Sequence, residues 1–144
     1  MYIRILSLFF ILITSIFAEV DFQNDKIYKA DITSLKAYEM QQKGVLLIDV
    51  RTKREFSTLR AKGSKNIPIF YEQNGKRVFN ENFINEVYEL LQGNIKKDII
   101  LICRSGSRTK LASNILAFKG FTNVYNIKNG FSYDWNKVGL PTQK

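Results

Sequence analysis

The pattern of apolar and polar positions along the chain distinguishes short buried strands from amphipathic helices. Apolar runs occupy 45–48 and 99–102, and a further strand pattern occupies 124–127. Such short continuous runs are typical of parallel strands that are buried on both faces. Apolar residues at helical spacing predict helices at 34–42, 80–92 and 110–119. We therefore predict an α/β fold, a single domain with a parallel β-sheet flanked by helices on both faces.

Capping residues set the predicted limits of these helices. Thr33 and Asn80 are placed to accept hydrogen bonds from the first turns of two helices. Gly44, Gly93 and Gly120 follow the last apolar positions and predict the helix ends. The pair Asn74-Gly75 predicts a tight turn within the polar stretch at 69–79.

The strand at 99–102 runs directly into a basic, hydroxyl-rich turn that begins with Cys103, the single cysteine of the chain. Backbone N–H groups of such a turn and the N-terminus of the next helix create positive potential, and Arg104 and Arg108 add two charges. Each feature favours a thiolate over a thiol. A buried structural cysteine is the alternative, but an Arg-Ser-Gly-Ser-Arg sequence is unusual beside an apolar pocket. Cys103 is therefore our candidate nucleophile.

Residues 103–108 form a Cys-x-x-Gly-x-Arg loop that resembles the active-site loop of rhodaneses, sulfurtransferases that carry sulfur as a cysteine persulfide. The resemblance covers about residues 30–141. It continues at Asp49-Val50-Arg51, Glu55-Phe56, Gly63, Asn66-Ile67-Pro68, Trp135 and Gly139-Leu140-Pro141. One departure is Leu59-Arg60-Ala61, which stands where family members commonly have Gly-His-Ile. Any role of that histidine in family members therefore cannot be carried over to this chain.

The resemblance implies transfer of a sulfane sulfur from a donor such as thiosulfate to a thiol or cyanide acceptor, through a persulfide on Cys103. Ligands of parallel sheets bind at the carboxyl ends of strands, where both Cys103 and the Asp49–Arg51 segment lie. Asp49 and Arg51 are expected to support the site structurally, and no metal or organic cofactor is required. The expected substrate-binding residues are Arg104, Ser105, Gly106, Ser107, Arg108 and Thr109: loop amides cradle the persulfide, the arginines bind the anionic donor, and the hydroxyls donate hydrogen bonds.

Two other functions are compatible with a cysteine in an anion-binding loop. The active-site loops of cysteine phosphatases and arsenate-type enzymes resemble Cys-x5-Arg, with an arginine six positions after the cysteine. In this chain that position is Thr109. A non-catalytic relay module that accepts persulfide sulfur from a partner protein would use the same loop. The sequence disfavours the first function and leaves the second open.

Composition limits the remaining possibilities. The chain has 144 residues, of which 45% are apolar, enough for one sizeable core. It contains no histidine, which excludes a Cys-His pair, histidine metal ligands and a Ser-His-Asp triad. Its net charge of +9 favours a small anionic substrate, and we expect no nucleic-acid partner because the protein is expected to be exported.

The N-terminus has the pattern of a signal peptide. Arg4 precedes an almost wholly apolar run at 5–17, and Ala18 offers a cleavage site before polar residues. We predict a signal peptide at 1–18 and a rhodanese-like domain at 19–144, exported to a periplasmic or extracellular location without stable membrane insertion. An uncleaved anchor is the alternative, although the apolar run is shorter than the ~20 residues that span a bilayer. An exported chain with one cysteine cannot form an internal disulfide.

Overall fold

A computed structural model describes residues 19–144, so the predicted signal peptide lies outside the described residues. Strands and helices alternate along most of this range. The strands are β1 (Ala30–Ile32), β2 (Leu46–Asp49), β3 (Arg60–Ala61), β4 (Lys65–Asn66), β5 (Phe70–Gln73), β6 (Lys76–Phe79), β7 (Ile99–Ile102), β8 (Val124–Ile127) and β9 (Thr142–Gln143). The helices are α1 (Ser34–Gln42), α2 (Lys53–Thr58), α3 (Phe83–Leu90), α4 (Ser107–Phe118) and a π-helical turn at Phe131–Trp135.

Five strands form a parallel sheet in the order β1–β8–β7–β2–β4, which confirms the predicted fold class. Strand β7 lies at its centre, with Ile99 opposite Leu46 of β2 and Val124 of β8. All four residues of β7 are buried, as expected for a strand covered on both faces.

Alternate residues of the central strands pack into two separate cores. Ile99, Leu101 and Cys103 face the core that α3 and α4 cover, whereas Ile100 and Ile102 face the core that α1 and the π-helical turn cover. Successive side chains of a strand point to opposite faces, so the position of Cys103 two residues after Leu101 directs its thiol towards α4.

Two helix starts differ from the prediction. Helix α4 begins at Ser107 rather than Lys110, because Gly106 adopts a left-handed conformation (φ 97°) that completes the turn early. Helix α3 begins at Phe83, and its N-cap is Asn82 rather than Asn80. The Asn80 side chain instead accepts a hydrogen bond from the Asn82 amide, at 3.0 Å, in the turn before the helix. Thr33 caps α1 as predicted, by accepting from the Lys36 amide.

The segment after β4 forms an antiparallel hairpin of β5 and β6 that is separate from the parallel sheet. Its turn is the predicted Asn74-Gly75 pair, and both residues have positive φ. An ion pair between Arg54 of α2 and Glu72 of β5 links the hairpin to α2. Within residues 19–144, no helix is long and apolar enough to cross a membrane.

Candidate active site

Cys103 follows the last residue of β7 and lies beneath the first turn of α4. The whole residue is buried, with no accessible surface. Its sulfur accepts a hydrogen bond from the backbone N–H of Gly106 at 3.1 Å. Several loop amides are expected to cradle the sulfur. Within residues 19–144, the Gly106 amide is the one that donates a hydrogen bond to it. The thiol therefore has a hydrogen-bond donor directed at it, as a thiolate requires.

Thr109 lies below the sulfur, in the first turn of α4, and is fully buried. Its hydroxyl oxygen is 3.4 Å from the Cys103 sulfur and 3.0 Å from the Gly106 carbonyl oxygen, to which it donates. A hydroxyl can rotate and donate to either acceptor. Thr109 can therefore stabilise a charged sulfur from the buried side of the loop.

Gly106 is at the point where the loop comes closest to the neighbouring strand. A Cβ atom at this position would overlap the carbonyl oxygen of Lys128, which follows β8. The φ of 97° is also one that residues with a side chain rarely adopt. Only glycine fits both requirements, and its amide is the one that contacts the sulfur.

The turn that follows β8 holds the loop from its other side. The Phe131 amide donates to the Cys103 carbonyl at 2.7 Å, and the Ser132 amide donates to the Arg104 carbonyl at 3.0 Å. Gly130 permits this approach, since a Cβ atom there would lie 2.6 Å from the Arg104 carbonyl group. The backbone of 103–104 is thus fixed by the first residues of the π-helical turn.

Arg108 is buried and forms a bidentate ion pair with Glu55 of α2. Its Nη1 and Nη2 atoms each lie 2.7 Å from a Glu55 carboxylate oxygen. The sequence predicts that Arg108 binds the anionic donor. In the structure its side chain is only 8% exposed and its charge is balanced by Glu55, so it joins the loop to α2 instead.

Glu55 is held in its ionised form by these contacts. Burial of the carboxyl raises its pKa, but hydrogen bonds from Arg108 and from the Thr52 amide outweigh burial and lower the pKa of Glu55 to about 2. Glu55 also completes a capping box with Thr52 at the start of α2. The carboxylate therefore stabilises α2 and the first turn of α4 together.

Asp49 and Arg51 form a buried pair at the end of β2, next to the site. Arg51 donates to both Asp49 carboxylate oxygens, the closest contact being 2.7 Å, and to the Leu59 carbonyl at 2.8 Å. Its guanidinium lies 4.6 Å from the centre of the Phe131 ring. The pair thus packs against the π-helical turn that holds Cys103; a structural role for Asp49 and Arg51 remains our prediction.

Arg104, Ser105 and Ser107 are the exposed side chains of the loop. Arg104 lies against Tyr133 of the π-helical turn: its Nη2 atom donates to the Tyr133 hydroxyl at 3.3 Å, and its Cζ atom is 5.8 Å from the ring centre. No ion pair involves Arg104 within residues 19–144. Arg104 therefore remains available to attract an anion.

These features define a cysteine thiol at a helix N-terminus, with a hydrogen-bond donor on the sulfur and, on the exposed side of the loop, an arginine that forms no ion pair within residues 19–144. The described residues contain no group of side chains suited to hold a metal ion. Such a loop suits a covalent intermediate that carries negative charge on sulfur. Together, the doubly covered parallel sheet and this Cys-x-x-Gly-x-Arg loop are typical of a rhodanese-like domain.

Comparison with known proteins gives the same class. A family model for the rhodanese-like domain matches residues 33–137, so the chain belongs to that family. Uncharacterized protein RP600 of Rickettsia prowazekii is 34% identical over 122 residues, which cover 78% of this chain and 96% of that protein. Thiosulfate sulfurtransferase 16, chloroplastic, of Arabidopsis thaliana is 35% identical over 107 residues, which cover 74% of this chain and 87% of that protein.

A solved structure supports the fold assignment. The crystal structure of Rv0390 from M. tuberculosis aligns with a TM-score of 0.63 and 28% identity, covering 81% of this chain and 98% of that one. The family thus includes proteins named as sulfurtransferases, and the chain spans nearly the whole length of several of its relatives.

The loop contacts of three residues, Glu55, Phe131 and Tyr133, were not predicted from the sequence. The partner of Arg108 is Glu55, although the Thr-x-x-Glu capping box at 52–55 is visible in the sequence. Phe131 and Tyr133 contact the loop through the π-helical turn, whose geometry has no sequence signal beyond the glycine at 130. Their proximity to Cys103 follows from the pairing of β7 with β8.

Proposed function

We propose that this protein is a sulfurtransferase that moves a sulfane sulfur from an anionic donor such as thiosulfate to a thiol or cyanide, through a persulfide on Cys103. The observation that carries the proposal is the hydrogen bond from the Gly106 amide to the Cys103 sulfur at the N-terminus of α4. This amide, the helix terminus and the Thr109 hydroxyl favour negative charge on the Cys103 sulfur, both in the thiolate that attacks the donor and in the thiolate that the acceptor displaces.

The proposed reaction has two displacements. The Cys103 thiolate, having lost its proton to solvent, attacks the outer sulfur of thiosulfate; a new S–S bond forms, and sulfite leaves with the electron pair of the broken bond. The acceptor, cyanide or a thiolate, then attacks the outer sulfur of the persulfide. A bond forms between the acceptor and that sulfur, and the persulfide S–S bond breaks with its electron pair on the Cys103 sulfur, which releases thiocyanate or a new persulfide and regenerates the Cys103 thiolate. No electron acceptor is consumed in either step.

Access to the sulfur requires a movement of the loop. Because Cys103 has no accessible surface, a donor sulfur can contact its thiolate only after the residues above it shift. Arg104 and Ser105 are exposed and lie on the outer side of the loop. Glu55, Arg108 and the π-helical turn hold the inner side. Because the 103–104 backbone is held by the π-helical turn, we propose that the Arg104 side chain and Ser105 make the opening movement.

Steady-state transfer from thiosulfate to cyanide tests this function. Wild-type protein should form thiocyanate, and Cys103→Ser should form none, since a protonated hydroxyl cannot hold the sulfur. Arg104→Ala should raise KM for thiosulfate by about threefold, the size expected for an exposed charge. Wild-type protein that forms no thiocyanate, but accepts sulfur from a persulfidated partner protein, would favour the relay module that the sequence left open.

We also propose that residues 1–18 direct export and are removed after Ala18. The support is the sequence itself: Arg4, the apolar run at 5–17 and the small residue before Glu19. N-terminal sequencing of the protein from its native cells should begin at or near Glu19. Recovery of Met1 on a membrane-bound form would contradict cleavage and favour an anchor.

A further inference from the structure

We propose that Tyr133 is a positioning residue that holds the Arg104 guanidinium above the Cys103 loop and so makes the site selective for anionic reagents. The proposal rests on the proposed function for its physiological meaning, because the anion concerned is the sulfur donor. It concerns a residue outside the Cys-x-x-Gly-x-Arg loop, on the neighbouring π-helical turn.

The backbone fixes the two side chains next to each other. The Ser132 amide donates to the Arg104 carbonyl at 3.0 Å, so the residue before Tyr133 is bonded directly to Arg104. From these positions the Arg104 Nη2 atom reaches the Tyr133 hydroxyl at 3.3 Å, with the guanidinium 5.8 Å from the ring centre. Because this backbone hydrogen bond keeps the two residues adjacent, the Tyr133 side chain, itself 56% exposed, stays within reach of the flexible arginine and restricts the directions it can take.

A tyrosine orients the arginine without cancelling its charge. The neighbouring carboxylates are engaged elsewhere: Asp49 with Arg51, Glu55 with Arg108, and Asp134 with the Ser34 amide at 2.8 Å. An acidic residue at 133 would hold Arg104 equally well but would neutralise it. The phenol ring is polarised and uncharged, so the full positive charge stays available at the loop entrance.

Two alkylating reagents separate the effect of charge from access to the sulfur. Iodoacetate is anionic and iodoacetamide is neutral, and both alkylate the thiolate of Cys103 irreversibly with loss of iodide. The ratio of their second-order rate constants measures the attraction of anions to the site. It needs no sulfur transfer, so it remains informative even if thiosulfate is not a substrate.

The measurement compares wild type with Arg104→Ala, Tyr133→Ala and Tyr133→Phe at low ionic strength. The matched control is Tyr88→Ala, an exposed tyrosine on α3 that does not contact the loop. We expect the iodoacetate-to-iodoacetamide ratio to fall about threefold in Arg104→Ala and about twofold in Tyr133→Ala, with salt reducing both differences. Tyr133→Phe should retain most of the wild-type ratio, since the ring face remains, and Tyr88→Ala should not change it.

Two results would overturn the proposal. One is an unchanged ratio in Tyr133→Ala while Arg104→Ala lowers it, since Arg104 would then act without the tyrosine. The other is an equal rise in both alkylation rate constants in Tyr133→Ala. That result would show that the Arg104–Tyr133 contact limits access to the Cys103 sulfur and does not select for anions. A lowered ratio in a protein that forms no thiocyanate would support the role of Tyr133 and contradict the proposed sulfur transfer.

Discussion

The buried side of the Cys103 loop, here called the floor, and its exposed side, the rim, differ in how their arginine charges are balanced. On the floor, Arg108 and Arg51 are buried, and each is paired with a carboxylate, Glu55 and Asp49 respectively. On the rim, Arg104 is exposed and is paired with a neutral tyrosine. One short loop therefore contains two arginines, of which the inner stabilises the fold and the outer is free to attract an anion.

This difference follows from desolvation. A charge inside the protein is tolerated only with a partner, because removal from water costs several kcal/mol per ion. A charge at the surface stays hydrated and needs no partner. We therefore expect the floor to provide stability and geometry and the rim to provide selectivity.

Apart from loss of Cys103 itself, the largest effect on activity is expected for Gly106→Ala. A methyl group at this position would overlap the Lys128 carbonyl oxygen and strain a residue with φ of 97°, so the amide must leave the sulfur. We expect thiocyanate formation to fall by about a hundredfold, as for a displacement of about 1 Å in an active site. Gly75→Ala is the matched control: it also has positive φ (73°), but no atom lies within 4 Å of the added carbon. Equal activity loss in both variants would mean that backbone strain alone is responsible.

Arg108→Ala is expected to have the largest effect on stability. It leaves the Glu55 carboxylate without its partner and should lower the free energy of unfolding by about 2–3 kcal/mol, below the 3–5 kcal/mol typical of fully buried pairs because Glu55 is partly exposed. Urea denaturation measures the change. Arg54→Ala, which removes the exposed pair with Glu72, should leave the urea midpoint almost unchanged. Similar shifts in the two variants would contradict the distinction between buried and exposed ion pairs on which the floor depends.

The same pair predicts an acid-dependent loss of stability. The pKa of Glu55 falls from 4.5 to about 2 on folding, so its contribution is complete above pH 4.5 and is lost as pH falls towards 2. Glu55→Gln mimics the protonated form. The difference in unfolding free energy between wild type and Glu55→Gln should therefore shrink steadily between pH 4.5 and pH 2. A difference that stays constant over this range would show that the ionised pair does not form.

The sequence predicted the parts of this molecule that depend on local patterns. Buried runs such as 99–102 identify the central strands, and Thr33 marks the start of α1, because these features act within a few residues. The pairing of Arg108 with Glu55 joins residues far apart in the chain, so a pattern within the loop cannot distinguish a structural arginine from a substrate-binding one. The same limit applies to Tyr133, which meets Arg104 only after β7 and β8 pair.

The central claim is that Cys103 carries the transferred sulfur, and intact-mass spectrometry tests it most directly. Protein mixed with thiosulfate should gain ~32 Da, the mass of one sulfur atom, and lose it again on addition of cyanide. Cys103→Ser should show no gain under the same conditions. Wild-type protein that gains no sulfur from thiosulfate, or a Cys103→Ser variant that gains as much as wild type, would contradict the account.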